Sequence, residues 1–351
     1  MSHRIRRVQQ LRVAPASLVV HFGLLAEPLE VRTNDPRILA AAEASFGRFV
    51  EPGAGAPLVV RLVVGDAWPD REAPPPDARD LVHDTAGHLL AIGLGAASRA
   101  VIDLAGGFAT GSVSEAVAAQ AGLLRSAFVE AMALAMLTGG RGYVPIHASC
   151  VIRDGIGFIL QAPAGTGKST LALACARRGW GLLAEDVVFA RPVDGPGGNG
   201  PLELWGMPWT QRLLPDAPRF FPELAMATAR LQANGEHKLE VDLDEHAPGT
   251  ATPRAAAGPV VLLARDTGGP TRAEWLVPDA DATEFEVLWP WEAGWTAAHE
   301  RTAIRLLDHG VLRLHLNGTP DEGVDALEAA LEVALDAEPH PKPLPASAPA
   351  P

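Results

Sequence analysis

The segment Ile156–Arg178 constrains the fold more than any other part of the chain. An apolar run, Ile156–Gln161, leads into Ala162-Pro163-Ala164-Gly165-Thr166-Gly167-Lys168-Ser169-Thr170, and an apolar helix-forming stretch, Ser169–Arg178, follows. Strand, glycine-bearing loop, Lys-Ser and helix in this order fit the phosphate-loop pattern, with Ala162 where its first glycine usually stands. Gly165 and Gly167 let the backbone turn its N–H groups inward around a phosphate. The helix that follows points its positive end at the same place. Lys168 is placed to reach β and γ phosphates, and the Ser169 hydroxyl to hold Mg²⁺.

Composition sharpens this point. Of 29 basic residues only Lys168, Lys238 and Lys342 are lysine, so arginine is the default cation here. An ammonium is kept where phosphate-loop chemistry asks for one.

The next apolar run, Gly181–Ala184, ends in Glu185-Asp186, 17 and 18 residues after Lys168. A strand ending in carboxylates beside a phosphate loop is where Mg²⁺ and the attacking group are managed. One carboxylate can bind the metal, Asp186 being the candidate ligand beside Ser169. The other can accept a proton from an attacking hydroxyl. Which of the two is the base stays open at this stage.

The whole stretch His147–Asp186 resembles the HPr kinase/phosphatase family and its HPr-kinase-related branch. In that pattern a His begins a strand, a hairpin leads to the phosphate loop, a short helix ends in Arg-Gly, and the next strand ends in an acidic pair. This chain follows that order from His147 through Arg153-Asp154-Gly155, Lys168 and Arg178-Gly179 to Asp186 without a gap. The resemblance implies an α/β fold: a phosphate-loop kinase domain of the HPr-kinase/PEP-carboxykinase type behind a smaller α+β N-terminal region. It implies ATP and Mg²⁺ as cofactors, a hydroxyl acceptor such as Ser in a peptide or small protein, and a homo-oligomer. Lys168, Glu185, Asp186 and His147 match its catalytic positions, and Glu203 in Leu202–Gly206 matches a glutamate that helps to bind metal. The family has Asp where this chain has Glu185, and Arg where it has Trp205. The family's C-terminal Pro-Gly-Arg-Asn segment has no counterpart, so neither a phosphatase half-reaction nor HPr itself as acceptor is implied.

Outside the resembling stretch, Lys238 and Arg212 are candidates to meet charge on a transferred phosphoryl group. Trp289, Trp291 and Trp295 form a cluster expected to pack in a core or lid. The motifs leave ATP against GTP open. They also leave open two rivals: a small-molecule kinase and a nucleotide-binding sensor without a phosphorylated product.

The rest of the chain sets the frame. Its 351 residues are long enough for two domains. Residues 1–140 read as short strands with helices, 141–335 as the kinase-like domain, and 336–351 as a Pro/Ala-rich disordered tail. The Ala-rich run Ser114–Leu137 reads as one amphipathic helix rather than a membrane span, because Glu115, Gln120, Arg125 and Glu130 interrupt it. Arg4, Arg6 and Arg7 precede the apolar run Leu18–Leu25 as in a secretory signal, but His21 breaks that run and Glu27 and Glu30 follow it closely. Cys150 and Cys175 cannot build a disulfide framework or a Cys-rich zinc site, and a reducing cytoplasm fits them. The net charge of -13 argues against nucleic-acid binding, which rests on cationic phosphate contacts.

Overall fold

Alternation of large apolar side chains along Ile156–Gln161 sets up the layers of the C-terminal part of the molecule. Phe158 and Leu160 are buried on one face of this strand and Ile159 on the other, as period-two geometry requires. A strand buried on both sides needs cover on both sides. The computed structural model describes residues 15–49, 53, 55–65, 77–231, 236–266, 268–276 and 296–335. The expected tryptophan cluster and the tail 336–351 lie outside them.

By internal contacts the chain divides into two compact units, residues 1–84 with 89–134, and residues 85–88 with 135–351. The first unit holds a seven-stranded sheet of β1 (Leu18–Leu24), β2 (Glu27–Thr33), β3 (Leu58–Val64), β4 (Leu81–Ala86), β5 (Leu89–Leu94), β6 (Ser98–Asp103) and β7 (Phe108–Val113). Their spatial order is β1-β2-β3-β7-β6-β5-β4. Helix α1 (Pro36–Phe46) is capped by Asp35 and started by Pro36, a residue suited to the first helical position.

The expected single helix over 114–137 is replaced by α2 (Glu115–Ala118), α3 (Ala121–Leu124), a π-helical segment Arg125–Glu130, and α4 (Ala131–Arg141). By length and composition alone Ala121–Arg141 is apolar enough to cross a membrane, but 56% of that window is buried inside the protein.

The second unit is mixed α/β. Its strands are β8 (Val144–His147), β9 (Ser149–Arg153), β10 (Ile156–Gln161), β11 (Gly181–Ala184), β12 (Val187–Pro192), β13 (Leu202–Trp205), β14 (Thr210–Leu213), β15 (Ala229–Leu231), β16 (His237–Asp242), β17 (Arg254–Arg265), β18 (Arg272–Leu276) and β19 (Val311–Leu316). Its helices are α5 (Lys168–Arg177), α6 (Leu243–His246), α7 (Ala297–Arg305) and α8 (Pro320–Leu335). A nine-stranded sheet runs β11-β9-β10-β17-β13-β12-β8, with β19 pairing β17 and β18 pairing β19. A separate small sheet has the order β14-β16-β15.

Strands β10, β17 and β19 are mutually parallel, so their C-terminal ends emerge at one edge. Ligands bind there in open α/β sheets, because the loops and helix starts gather at that edge.

Two cores result. One holds Phe158, Leu160, Leu171, Cys175, Trp180 and Leu327 around α5 and α8. The other holds Ile146, Ile159, Leu183, Val188, Leu306 and Val311 on the opposite face. Trp180 meets the Phe158 ring edge-on at 5.7 Å and donates its indole N–H to Glu328 at 3.1 Å, so its one polar group is satisfied. Both cysteines are free and buried, and burial drives their thiols well above the usual range. That leaves them as unreactive core residues.

Candidate active site

Hairpin β9–β10 turns through Asp154 and Gly155, both at positive φ (52° and 80°). This geometry suits the right-handed twist of the strands. It delivers β10 to the loop Ala162–Gly167. Pro163, Ala164 and Gly165 are exposed, while Lys168 at the start of α5 is only 8% exposed. Gly165 and Gly167 hold φ of 78° and 120°, conformations that favour glycine. The glycines therefore sit where the loop needs them.

Lys168 turns back over the loop. Its Nζ donates to the Ala162 carbonyl at 2.6 Å and lies 3.4 Å from His147 Nε2. An ammonium can only donate, so Nε2 of His147 can serve at this contact only as an acceptor, and Nδ1 is the ring nitrogen left to face Asp186. That nitrogen is 3.3 Å from Asp186 Oδ1, within ion-pair range but off the line of a hydrogen bond. Strand pairing explains the approach, since β8 and β12 place His147 opposite Val187, the residue after Asp186.

Ser169, one residue into α5, donates to Glu185 Oε1 at 2.9 Å. Glu185 is 6% exposed and its other oxygen faces Arg212 Nη1 at 3.4 Å. Burial, and then the charge of Asp186, push its carboxyl up to about 7, against the pull of Arg212, Ser169 and Lys238. Asp186 is half exposed. The two neighbouring acids thus have different surroundings and different partners. Sequence reasoning missed Ser149, whose hydroxyl donates to the Glu185 backbone carbonyl at 2.5 Å and fixes the turn that carries both acids. Ser149 lies two residues after His147, and no signal beyond that proximity marked it.

The small sheet supplies cations. Arg212 is opposite Glu240, and Lys238 lies two residues along the same strand, so both share one face. Lys238 also pairs with Glu236 at 3.3 Å.

One metal-ligand expectation, Glu203, needs correction, and the partner of Ser169 is now seen. Ser169 turns to Glu185 rather than to Asp186. Glu203 is not at the site. It is 2% exposed on β13, opposite Arg191 in β12. Arg191 lies four strand residues beyond Val187, about 13 Å along the strand. Its Oε1 accepts from Arg191 Nε at 2.9 Å and its Oε2 from Arg254 Nε at 3.0 Å. With both oxygens held by guanidinium groups, Glu203 is a structural ion-pair centre. Trp205, where the family has Arg, lies beneath Arg254, 5.1 Å from ring centre to guanidinium.

No family model matches the chain, and no curated protein matches it. Among solved structures, a weak neighbour is the Hpr(Ser) kinase/phosphatase from Coxiella burnetii. It is 14% identical, with a TM-score of 0.29, covering 55% of this chain and 99% of that one. A likeness of that size carries no argument about the chemistry, which has to be read from the residues.

Those residues suit a magnesium–phosphate pair. Among the described residues no group of three or more His, Cys, Asp or Glu could hold a metal by itself. Mg²⁺ in phosphoryl-transfer sites typically takes one or two protein oxygens and completes its shell with phosphate and water. Ser169 and Glu185 are a hard-oxygen pair of that kind.

Proposed function

We propose that this chain is an ATP- and Mg²⁺-dependent phosphotransferase of the HPr-serine-kinase type. In this reading residues 141–335 are a kinase domain of the HPr-kinase/PEP-carboxykinase type, and the acceptor is a hydroxyl, Ser of a peptide or small protein. The observation that carries the reading is the convergence of Lys168, Ser169, Glu185, Asp186 and His147 at one loop.

The division of labour follows from the contacts. The loop N–H groups and Lys168 balance phosphate charge. Ser169 and Glu185 would hold Mg²⁺, which when bound neutralises charge on the phosphates. Asp186, half exposed and beside His147, takes the proton of the acceptor hydroxyl. The acceptor oxygen bonds to the γ-phosphorus as the bond to the bridging oxygen breaks, and ADP leaves. Arg212 and Lys238 meet the charge of the group in transit. The reading includes a cytoplasmic location and no nucleic-acid or membrane partner. It also includes a homo-oligomer, which rests on the family resemblance alone.

The test is mass spectrometry of a cell lysate treated with the purified protein, Mg²⁺ and γ-labelled ATP, beside Lys168→Ala. A labelled protein or peptide seen only with the wild type is the expected result and names the acceptor. Label confined to small metabolites would replace the protein acceptor with a small molecule. Slow release of phosphate with no labelled acceptor would overturn the kinase reading in favour of a sensor.

A further inference from the structure

A second cation touches the phosphate loop, and neither the motif nor the acidic pair accounts for it. Strand β17 runs parallel to β10 with Gln161 beside Leu262. Three residues on, β17 ends at Arg265, just where β10 has already turned into the loop. The guanidinium comes to rest against Gly167: a Cβ built there would stand 3.1 Å from Arg265 Nη2. Glycine at this position therefore serves the positive φ and the approach of Arg265 together.

Arg265 is exposed, and among the described residues no carboxylate pairs with it. Its neighbour Asp266 is engaged elsewhere, accepting from the Gly268 N–H at 2.8 Å and from Arg272 at 2.9 Å, with His315 at 3.5 Å. A guanidinium beside a phosphate loop with no counter-ion among the described residues is suited to bind an anion. Thr170, Phe220, Gly318 and Thr319 line the crevice that Arg265 shares with Gly167.

Strand order around β10, taken with the contacts at the loop, sets Arg265 apart from the acids. Strands β9 and β11, the latter leading into Glu185 and Asp186, flank β10 on one side, and β17 flanks it on the other. Glu185 follows β11 on the first flank, and Ser169, Asp186, His147 and Lys168 are joined to it or to one another by direct contacts or chain adjacency; that group marks where the transferred phosphoryl would lie, whereas Arg265 comes off β17 on the other flank. We propose that Arg265 is a nucleotide-binding residue that holds the two phosphates not transferred. The proposal rests on the nucleotide reading given above.

Calorimetric titration of the full-length protein with MgADP and with MgATP tests it, comparing wild type, Arg265→Gln and Arg265→Lys. A charge-assisted hydrogen bond corresponds to about a 10- to 100-fold change in affinity. Arg265→Gln is expected to weaken ADP and ATP by the same factor in that range, and Arg265→Lys by less. Because the side chain is exposed, the melting temperature without nucleotide should stay within about 2 °C of wild type. Unchanged ADP affinity in Arg265→Gln would overturn the Arg265 assignment and leave the nucleotide reading standing. Loss for ATP with none for ADP would overturn it too, since the side chain would then meet the transferred phosphate. A wild-type protein that binds neither nucleotide would sink both.

Discussion

The Ser169 hydroxyl donates to Glu185 at 2.9 Å, so the start of α5 and the end of β11 are joined by the two oxygens proposed to share a metal ion. The short helix makes this possible, because α5 returns the chain after ten residues to a strand beside its own loop. Asp186, the next residue, is turned towards His147 instead. Adjacent acids on one turn thus have different partners.

The first prediction concerns pH. In the unfolded chain a glutamate titrates near its ordinary value of 4.5, whereas Glu185 in the folded protein is pushed up to about 7. Below 4.5 both states hold the proton and the full stability is present. Between the two values the folded protein retains a proton that the unfolded chain has released, so stability falls as pH rises. The slope is about 1.4 kcal/mol per pH unit, or roughly 3 kcal/mol over the window. In buffer without metal or nucleotide, Glu185→Gln should gain stability relative to wild type between pH 5 and pH 8. Urea unfolding at the two pH values checks this. An equal difference at both would show that Glu185 does not titrate this way.

A second prediction separates ammonium from positive charge. Lys168 Nζ sits 2.6 Å from the Ala162 carbonyl at the end of a buried stem. A planar guanidinium is longer and wider, and does not reproduce that placement. Both Lys168→Ala and Lys168→Arg should lower phosphotransfer by about 10²- to 10³-fold, the usual cost of losing one stabilising donor. Transfer of γ-label from ATP is the readout. Near-wild-type transfer by Lys168→Arg would contradict the geometry.

Much of this arrangement was legible in the sequence, and the exceptions have physical causes. Strand β10 and strand β11 fall where their apolar runs predict, and α5 begins one residue earlier than expected. Strand β7 is not legible in the sequence, because its residues, FATGSV, carry little apolar pattern. It is made by pairing: a Cβ at Gly111 would stand 2.8 Å from the Ala100 Cβ, so glycine there permits the close approach of β6. The Ser114–Leu137 run reads as one helix because its apolar period is continuous, and no proline marks the break at Ala119-Gln120. Glu203 and Arg265 were misjudged or unseen for a common reason. The partners of Glu203 lie 12 and 51 residues away, and Arg265 reaches the loop through a parallel strand pairing. Only the tertiary fold brings such groups together.

Glu203 yields a third prediction, which sets structure against metal binding. Its side chain anchors Arg191, stacked on Tyr143 at 4.6 Å, and Arg254 over Trp205. Removing one member of a buried ion pair leaves the others without a counter-charge and costs about 3 kcal/mol. Glu203→Gln should lose stability of that order in urea unfolding. Its dependence on Mg²⁺ concentration, measured by labelled transfer, should match wild type. A raised Mg²⁺ requirement at unchanged stability would return Glu203 to the metal site.

The last prediction tests the division between the two acids. If Asp186 takes the acceptor's proton, Asp186→Asn keeps the shape of the site and removes the base. General base catalysis contributes about 10²- to 10⁴-fold, so kcat should fall in that range while ADP affinity holds near wild type, since among the described residues Asp186 makes its ion pair with His147 and no hydrogen bond to the loop. Glu185→Gln should behave differently. It retains an acceptor for Ser169 but weakens the charge available to Mg²⁺, so its main effect should be a higher Mg²⁺ requirement. His147→Ala should fall between them, because His147 touches both Lys168 and Asp186 without receiving the proton itself. Titration of transfer rate against Mg²⁺ for the three variants separates these outcomes. Should Glu185→Gln lose kcat at saturating Mg²⁺ while Asp186→Asn changes only the Mg²⁺ requirement, the two roles would have to be exchanged.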